Sequence, residues 1–144
     1  MSLIKIVIAD DEKTARNALK RALVKKYTIY EAENGVKALE LIEKENPDIV
    51  LLDINMPKKS GFEVLEKVSQ DISPPICIMM TAYGSERIAV ESLKNGAWDY
   101  IAKPFQLDEL RTLIRNASEQ IRLLMENEKL KTELKKGESD NKKD

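Results

Sequence analysis

Short apolar runs alternate along the chain with longer stretches in which apolar positions recur every three or four residues. Residues 4–9 (IKIVIA) predict a buried strand, and residues 13–24 carry the helical spacing. Residues 28–32 predict a second, less apolar strand, followed by a helix over about residues 35–44. Residues 49–52 (IVLL) are apolar throughout, as expected of a central parallel strand covered on both faces. Ser60 with Glu63 three positions on has the form of a capping box, starting a helix that runs through Val68. Residues 76–80 predict another buried strand. Ser85 is placed to cap the next helix and Gly96 to end it. A fifth strand lies near residues 100–102, ended by Lys103-Pro104.

Five strands alternating with helices predict an α/β fold with right-handed crossovers. The expected form is a flavodoxin-like, doubly wound, five-stranded parallel sheet of order 2-1-3-4-5 with an extended C-terminal helix. Such sheets take ligands beyond the carboxyl ends of their strands, here between strands 1 and 3.

From Leu107, Leu110, Ile114 and Ala117 to Ile121 and Leu124, the spacing alternates between three and four residues, that of an a/d seam. The first part belongs with the domain core. Beyond Leu124 the frame slips, and Asn127, Leu130 and Leu134 continue it among charged neighbours. The expected organisation is a main domain over residues 1–120, a helical, coiled-coil extension over 121–136, and a disordered tail over 137–144, where GESDNKKD lacks apolar residues.

Composition narrows the chemistry. The 144 residues are 42% hydrophobic and 34% charged with a net charge of −1, which predicts neither nucleic-acid binding nor membrane association. The one cysteine, Cys77, lies in the apolar run PICIMM and reads as a packing residue of a cytoplasmic protein. The triplet Asn116-Ala-Ser118 falls in a helical stretch and is discounted as a glycosylation site. Above all, there is no histidine. That excludes Ser-His-Asp and Cys-His catalysis, His-ligated zinc and a phosphohistidine carrier.

Carboxylates, hydroxyls and lysine remain, and they collect at strand ends. Strand 1 ends in Asp10-Asp11-Glu12, strand 3 in Asp53, strand 4 in Thr81 and strand 5 in Lys103. Each has an ordinary explanation alone; acids before a helix, for example, suit its dipole. Their joint occurrence on one edge points to a site. Two carboxylates about 5 Å apart repel by roughly 3 kcal/mol at an effective dielectric near 20, so the cluster calls for a cation. An all-oxygen donor set suits Mg²⁺ together with a phosphate. Asp53, ionised without any general base, is the candidate nucleophile, with Lys103 neutralising charge on the phosphoryl group.

DDE at 10–12, DINMPKKSG at 53–61, TAYG at 81–84 and DYIAKPF at 99–105 together resemble the receiver domains of bacterial two-component response regulators. The resemblance spans about residues 4–120. It implies that Asp53 is the phosphoacceptor, Asp11 a direct magnesium ligand, Asp10 a ligand largely through water, and the Asn55 backbone carbonyl a further ligand. Lys103 would bind a phosphoryl oxygen and form a cis bond to Pro104, Thr81 would donate its hydroxyl, and Tyr100 would be the switch aromatic. Asn55 and Tyr83 would tune the lifetime of the phosphate. A sensor histidine kinase would donate the phosphoryl group. A homodimer would form through the face of helix 4, strand 5 and helix 5 or through the C-terminal helix. The chain would be a regulatory phosphoprotein that assists its own phosphoryl transfer and slow dephosphorylation, with no cofactor besides Mg²⁺. The tail RLLMENEKLKTELK resembles the linker of NtrC-like transcription activators, which implies a transcriptional output, but no P-loop or other output domain is present in the sequence.

Competing expectations are few. A flavodoxin would carry a hydroxyl- and glycine-rich loop where this chain has three acids. A haloacid dehalogenase-type phosphatase would carry an acid two residues after the nucleophile, where Asn55 stands. A pure coiled-coil scaffold would not need the strand-end cluster, and the remaining alternative is a phosphate-independent dimerising module on the same fold.

Overall fold

The computed structural model describes residues 3–82 and 86–141, with side chains through Leu134. Five strands and five helices alternate: β1 (Lys5–Ala9), α1 (Lys13–Leu23), β2 (Thr28–Ala32), α2 (Gly35–Glu45), β3 (Ile49–Asp53), α3 (Gly61–Val68), β4 (Ile76–Thr81), α4 (Glu86–Lys94), β5 (Asp99–Ala102) and α5 (Leu107–Asn141). The strands form one parallel sheet of order β2-β1-β3-β4-β5, the expected doubly wound arrangement.

Strand polarity follows burial. All five residues of central β3 are buried, whereas edge strand β2 buries only Ala32. Side chains alternate between faces. Val7, Ala9, Val50, Leu52, Cys77 and Met79 pack on one side with Ala38 and Ile42 of α2 and Val64, Leu65 and Val68 of α3. Ile6, Ile8, Leu51, Ile78 and Met80 take the other parity and are fully buried, as are Leu19 and Leu23 of α1 to within 2%. Each such Leu or Ile stabilises the fold by about 1.5–3 kcal/mol. Cys77 is a buried free thiol, and desolvation pushes it up to about 12.

Local chemistry sets the helix ends. Ser60 Oγ accepts from Glu63 N at 3.2 Å and the Glu63 carboxylate accepts from Ser60 N, the expected capping box. Asn34 caps α2 by accepting from Lys37 N at 2.8 Å. Past α4, Gly96 has φ +110°, open to glycine and strained for other residues, and a Cβ there would collide with Ser69 Oγ. Ser85, expected to cap α4, lies outside the described residues, as do Tyr83 and Gly84.

The chain divides into two units, residues 1–111 and 112–144. Along α5, Leu110, Ile114 and Ala117 are buried, and Leu123, Leu124, Met125, Leu130 and Leu134 are exposed. The second unit is charged on its surface: Arg122 pairs with Glu119 and, at 2.7 Å, with Glu126. Its backbone is helical through Gly137 to Asn141, where composition alone predicts no fixed structure from residue 137; one glycine costs a helix only about 1 kcal/mol. Among the described residues no helix is long and apolar enough to cross a membrane.

Candidate functional site

Parallel strands in register end together, which places their last residues on one edge. Asp53 closes β3 opposite Met80, and Thr81 closes β4 opposite Ala102. Asp10 follows β1, and Lys103 follows β5. Asp10, Asp53 and Thr81 are buried, Lys103 is half-buried and Asp11 is exposed.

The contacts are specific. Lys103 Nζ donates to Asp10 Oδ2 at 2.8 Å and reaches Asp53 Oδ2 at 3.4 Å. Asp10 Oδ1 accepts from Glu12 N at 2.9 Å, and Asp53 Oδ1 from Asn55 N at 3.2 Å. The first of these spends the acid-rich turn on itself: Glu12, at the N-cap of α1, makes no side-chain cap. Lys103 N donates to the Thr81 carbonyl at 2.6 Å, tying the ends of β4 and β5. The Lys103-Pro104 bond is cis, as the resemblance implied. Gly61 N donates to Ile54 O at 2.9 Å, and a Cβ on Gly61 would strike the Asp53 carbonyl, so only glycine lets the β3–α3 loop fold back over the strand end.

Burial pushes Asp53 up to about 6, from an ordinary 3.8; the Lys103 charge opposes the rise, Asp10 adds to it, and the Asn55 N–H opposes it. Lys103 is desolvated too, but its bond to Asp10 and the charges of Asp53 and Asp10 outweigh that and raise it above its usual value. One ammonium thus faces more negative charge than it can neutralise. Asp10, Asp11 and Asp53 each offer an oxygen, all within 4.8 Å of one another. This hard, all-oxygen set fits a divalent cation such as Mg²⁺.

A family model described as a response regulator receiver domain matches residues 6–115. The chain belongs to that family. The receiver is 41% identical over 115 residues to regulatory protein AtoC of Escherichia coli, covering 78% of this chain and 25% of AtoC. It is 38% identical over 112 residues to sporulation initiation phosphotransferase F of Bacillus subtilis, covering 77% of this chain and 90% of that protein. The crystal structure of NtrX from Brucella abortus superposes with a TM-score of 0.83 at 27% identity, over 89% of this chain and 29% of NtrX. The receiver therefore spans nearly all of one relative and only about a quarter of another.

Of the residues singled out from sequence, Asp10, Asp11, Asp53 and Lys103 converge. Thr81 lies one strand away at the same edge, and the Asn55 backbone N–H donates to Asp53. Tyr100 is half-buried on β5, packed against the core cluster rather than among the carboxylates. Sequence reasoning missed Arg16, whose Nη1 donates to the Asp10 carbonyl at 2.7 Å. The available signal was a cation one turn beyond the acidic triplet. A groove of about 550 Å³ lies beside the site, lined by Ala15 and Ala18 of α1, Phe105 and Leu107 at the start of α5, and Asp10 and Lys103 of the site itself.

Proposed function

We propose that the chain is the phosphoacceptor switch of a two-component phosphorelay. The observation that carries this is the single ammonium of Lys103 shared between the carboxylates of Asp10 and Asp53 at the mouth of the sheet. In this reading a carboxylate oxygen of Asp53 attacks the phosphorus of a phosphohistidine on a sensor kinase. The O–P bond forms as the P–N bond breaks, and the histidine leaves with the electron pair. The product is an acyl phosphate, a labile mixed anhydride. Asp10, Asp11, Asp53 and the Asn55 carbonyl would hold Mg²⁺, which when bound neutralises charge on the phosphoryl oxygens. Lys103 binds one phosphoryl oxygen and Thr81 donates to another. The groove between α1 and the start of α5 offers apolar surface where a donor can dock.

Movement of Thr81 toward the phosphate lets Tyr100 turn inward, changing the face made by α4, β5 and α5. The exposed Leu124, Leu130 and Leu134 of α5 favour a homodimer, through the extension over residues 121–136 or through that face. With the domain over residues 1–120 as its input, the switch controls an output, read as transcription from the similarity to the probable transcriptional regulator ycf27 of Guillardia theta, in the cytoplasm. It is a regulatory phosphoprotein, with catalysis confined to its own phosphoryl transfer and slow autodephosphorylation.

The test is intact mass after incubation with acetyl phosphate and Mg²⁺. Gain of one phosphoryl group by the wild type, lost with chelator or with Asp53→Asn, is the expected result. No gain by folded, Mg²⁺-bound protein would instead favour a phosphate-independent dimerising module.

A further inference from the structure

Arg16 lies in the second turn of α1 with its side chain 13% exposed, and its guanidinium has two partners. Nη1 donates to the main-chain carbonyl of Asp10 at 2.7 Å, and Nε lies 3.5 Å from Glu31 Oε1 near the end of β2. Lys20, one turn further along α1, faces the other oxygen of Glu31 at 3.4 Å but does not touch Asp10. The carboxylate of Asp10 is already held by Lys103 and by the Glu12 N–H. Its main chain is held on both sides: Asp10 N donates to Ala32 O at 3.1 Å, and Arg16 holds the carbonyl.

That carbonyl belongs to the peptide unit whose nitrogen is Asp11's. Because the unit is planar, fixing the oxygen fixes the direction in which the chain enters Asp11. Asp11 is exposed, yet one of its oxygens lies within 4.8 Å of those of Asp10 and Asp53. Water competes freely for an exposed loop; a guanidinium anchored on Glu31 resists rotation of the 10–11 peptide far better than solvent does.

We infer that Arg16 is a positioning residue for the acidic cluster, setting its affinity for a divalent cation through the Asp10–Asp11 peptide plane with Glu31 as its anchor. The role rests on the reading of Asp10, Asp11 and Asp53 as a Mg²⁺ site. It differs from a plain strut between α1 and β2, which would affect stability and leave the cation indifferent.

Titration calorimetry of the full chain with Mg²⁺ alone, well below the melting temperature, separates these cases. Arg16→Ala weakens Mg²⁺ binding about tenfold, the lower end of the range for groups that orient metal ligands. Arg16→Lys, which can reach the carbonyl or Glu31 but not both, recovers part of that loss and keeps a reading available should the alanine variant not fold. Lys20→Ala, which removes only the neighbouring pair, leaves the Kd unchanged. Wild-type affinity in folded Arg16→Ala, or equal weakening by Lys20→Ala, overturns the positioning role alone. Failure of the wild type to bind Mg²⁺ overturns the metal site itself, and this role with it.

Discussion

The two ends of the sheet use the same side chains to opposite effect. At the amino ends, Lys5, Glu45 and Asp48 meet: Asp48 accepts from Lys5 N at 2.9 Å, Lys5 Nζ donates to the Glu45 carbonyl at 3.2 Å and lies 3.8 Å from its carboxylate. Lys5 is 41% exposed, and Asp48 also accepts from Ile76 N through its own carbonyl, so the group stitches β1, β3 and β4 together. At the carboxyl ends, Lys103 faces two buried carboxylates, with Asp11 beside them. One end closes its hydrogen bonds among half-buried charges of both signs. The other collects charge that only an added cation can balance. The lesson is that residue type alone does not mark a site; burial with a surplus of one sign does.

The sharpest way to break the comparison is to neutralise one acid at each end. Asp53→Asn abolishes phosphoryl incorporation measured by intact mass, and Asp48→Asn leaves it at the wild-type level. Equal incorporation by both variants would remove the distinction.

Next come the two lysines. Lys103→Met slows labelling by acetyl phosphate about 100-fold, by loss of charge stabilisation at the phosphoryl oxygens. It also lowers metal-free stability at pH 7.5 by about 2 kcal/mol, because two buried carboxylates lose their partner. Lys5→Met changes stability by less than about 1 kcal/mol in the same urea titrations.

The pH dependence has a definite sign. Asp53 holds its proton more tightly folded (about 6) than unfolded (about 3.8), so it favours the folded state when protonated. That contribution is complete below pH 4 and is lost as pH rises through 6. Without metal, Asp53→Asn is therefore more stable than wild type by about 1–2 kcal/mol at pH 7.5, a difference that closes below pH 4. A gain independent of pH would rule out this account.

The smallest effect concerns backbone. Each end carries a residue with positive φ: Asn46 at +48° after α2, and Lys58 at +68° in the β3–α3 loop. Asparagine tolerates this region and lysine does not. Lys58→Gly stabilises by up to about 1 kcal/mol in thermal melts, and Asn46→Gly by a few tenths at most.

The fold was legible because the apolar runs are clean and sit between helices of plain 3.6 periodicity, and IVLL needs two covered faces. Much of the site was legible for the same reason. Once strand ends are located, parallel pairing brings Asp10, Asp53, Thr81 and Lys103 to one edge. Arg16 was not, since nothing in its spacing says that a main-chain carbonyl is its partner. Lys58 was not, because its φ is set by closure of the loop, where Lys59 N donates to Pro57 O at 2.8 Å. The Asn34 cap is a recognisable residue type before α2; before α1, Glu12 makes no side-chain cap, and its N–H serves the Asp10 carboxylate instead.

The dispersal of the site over strands β1, β3, β4 and β5 has a consequence for the life of the chain on the ribosome. Domains form from the amino end as synthesis proceeds. The acids of β1 and β3 emerge early, but Lys103 arrives only after the last strand and cannot reach Asp10 or Asp53 until the sheet has closed. A nascent or misfolded chain therefore has no lysine-bridged pocket, and on the proposed reading phosphoryl uptake is tied to completion of the sheet.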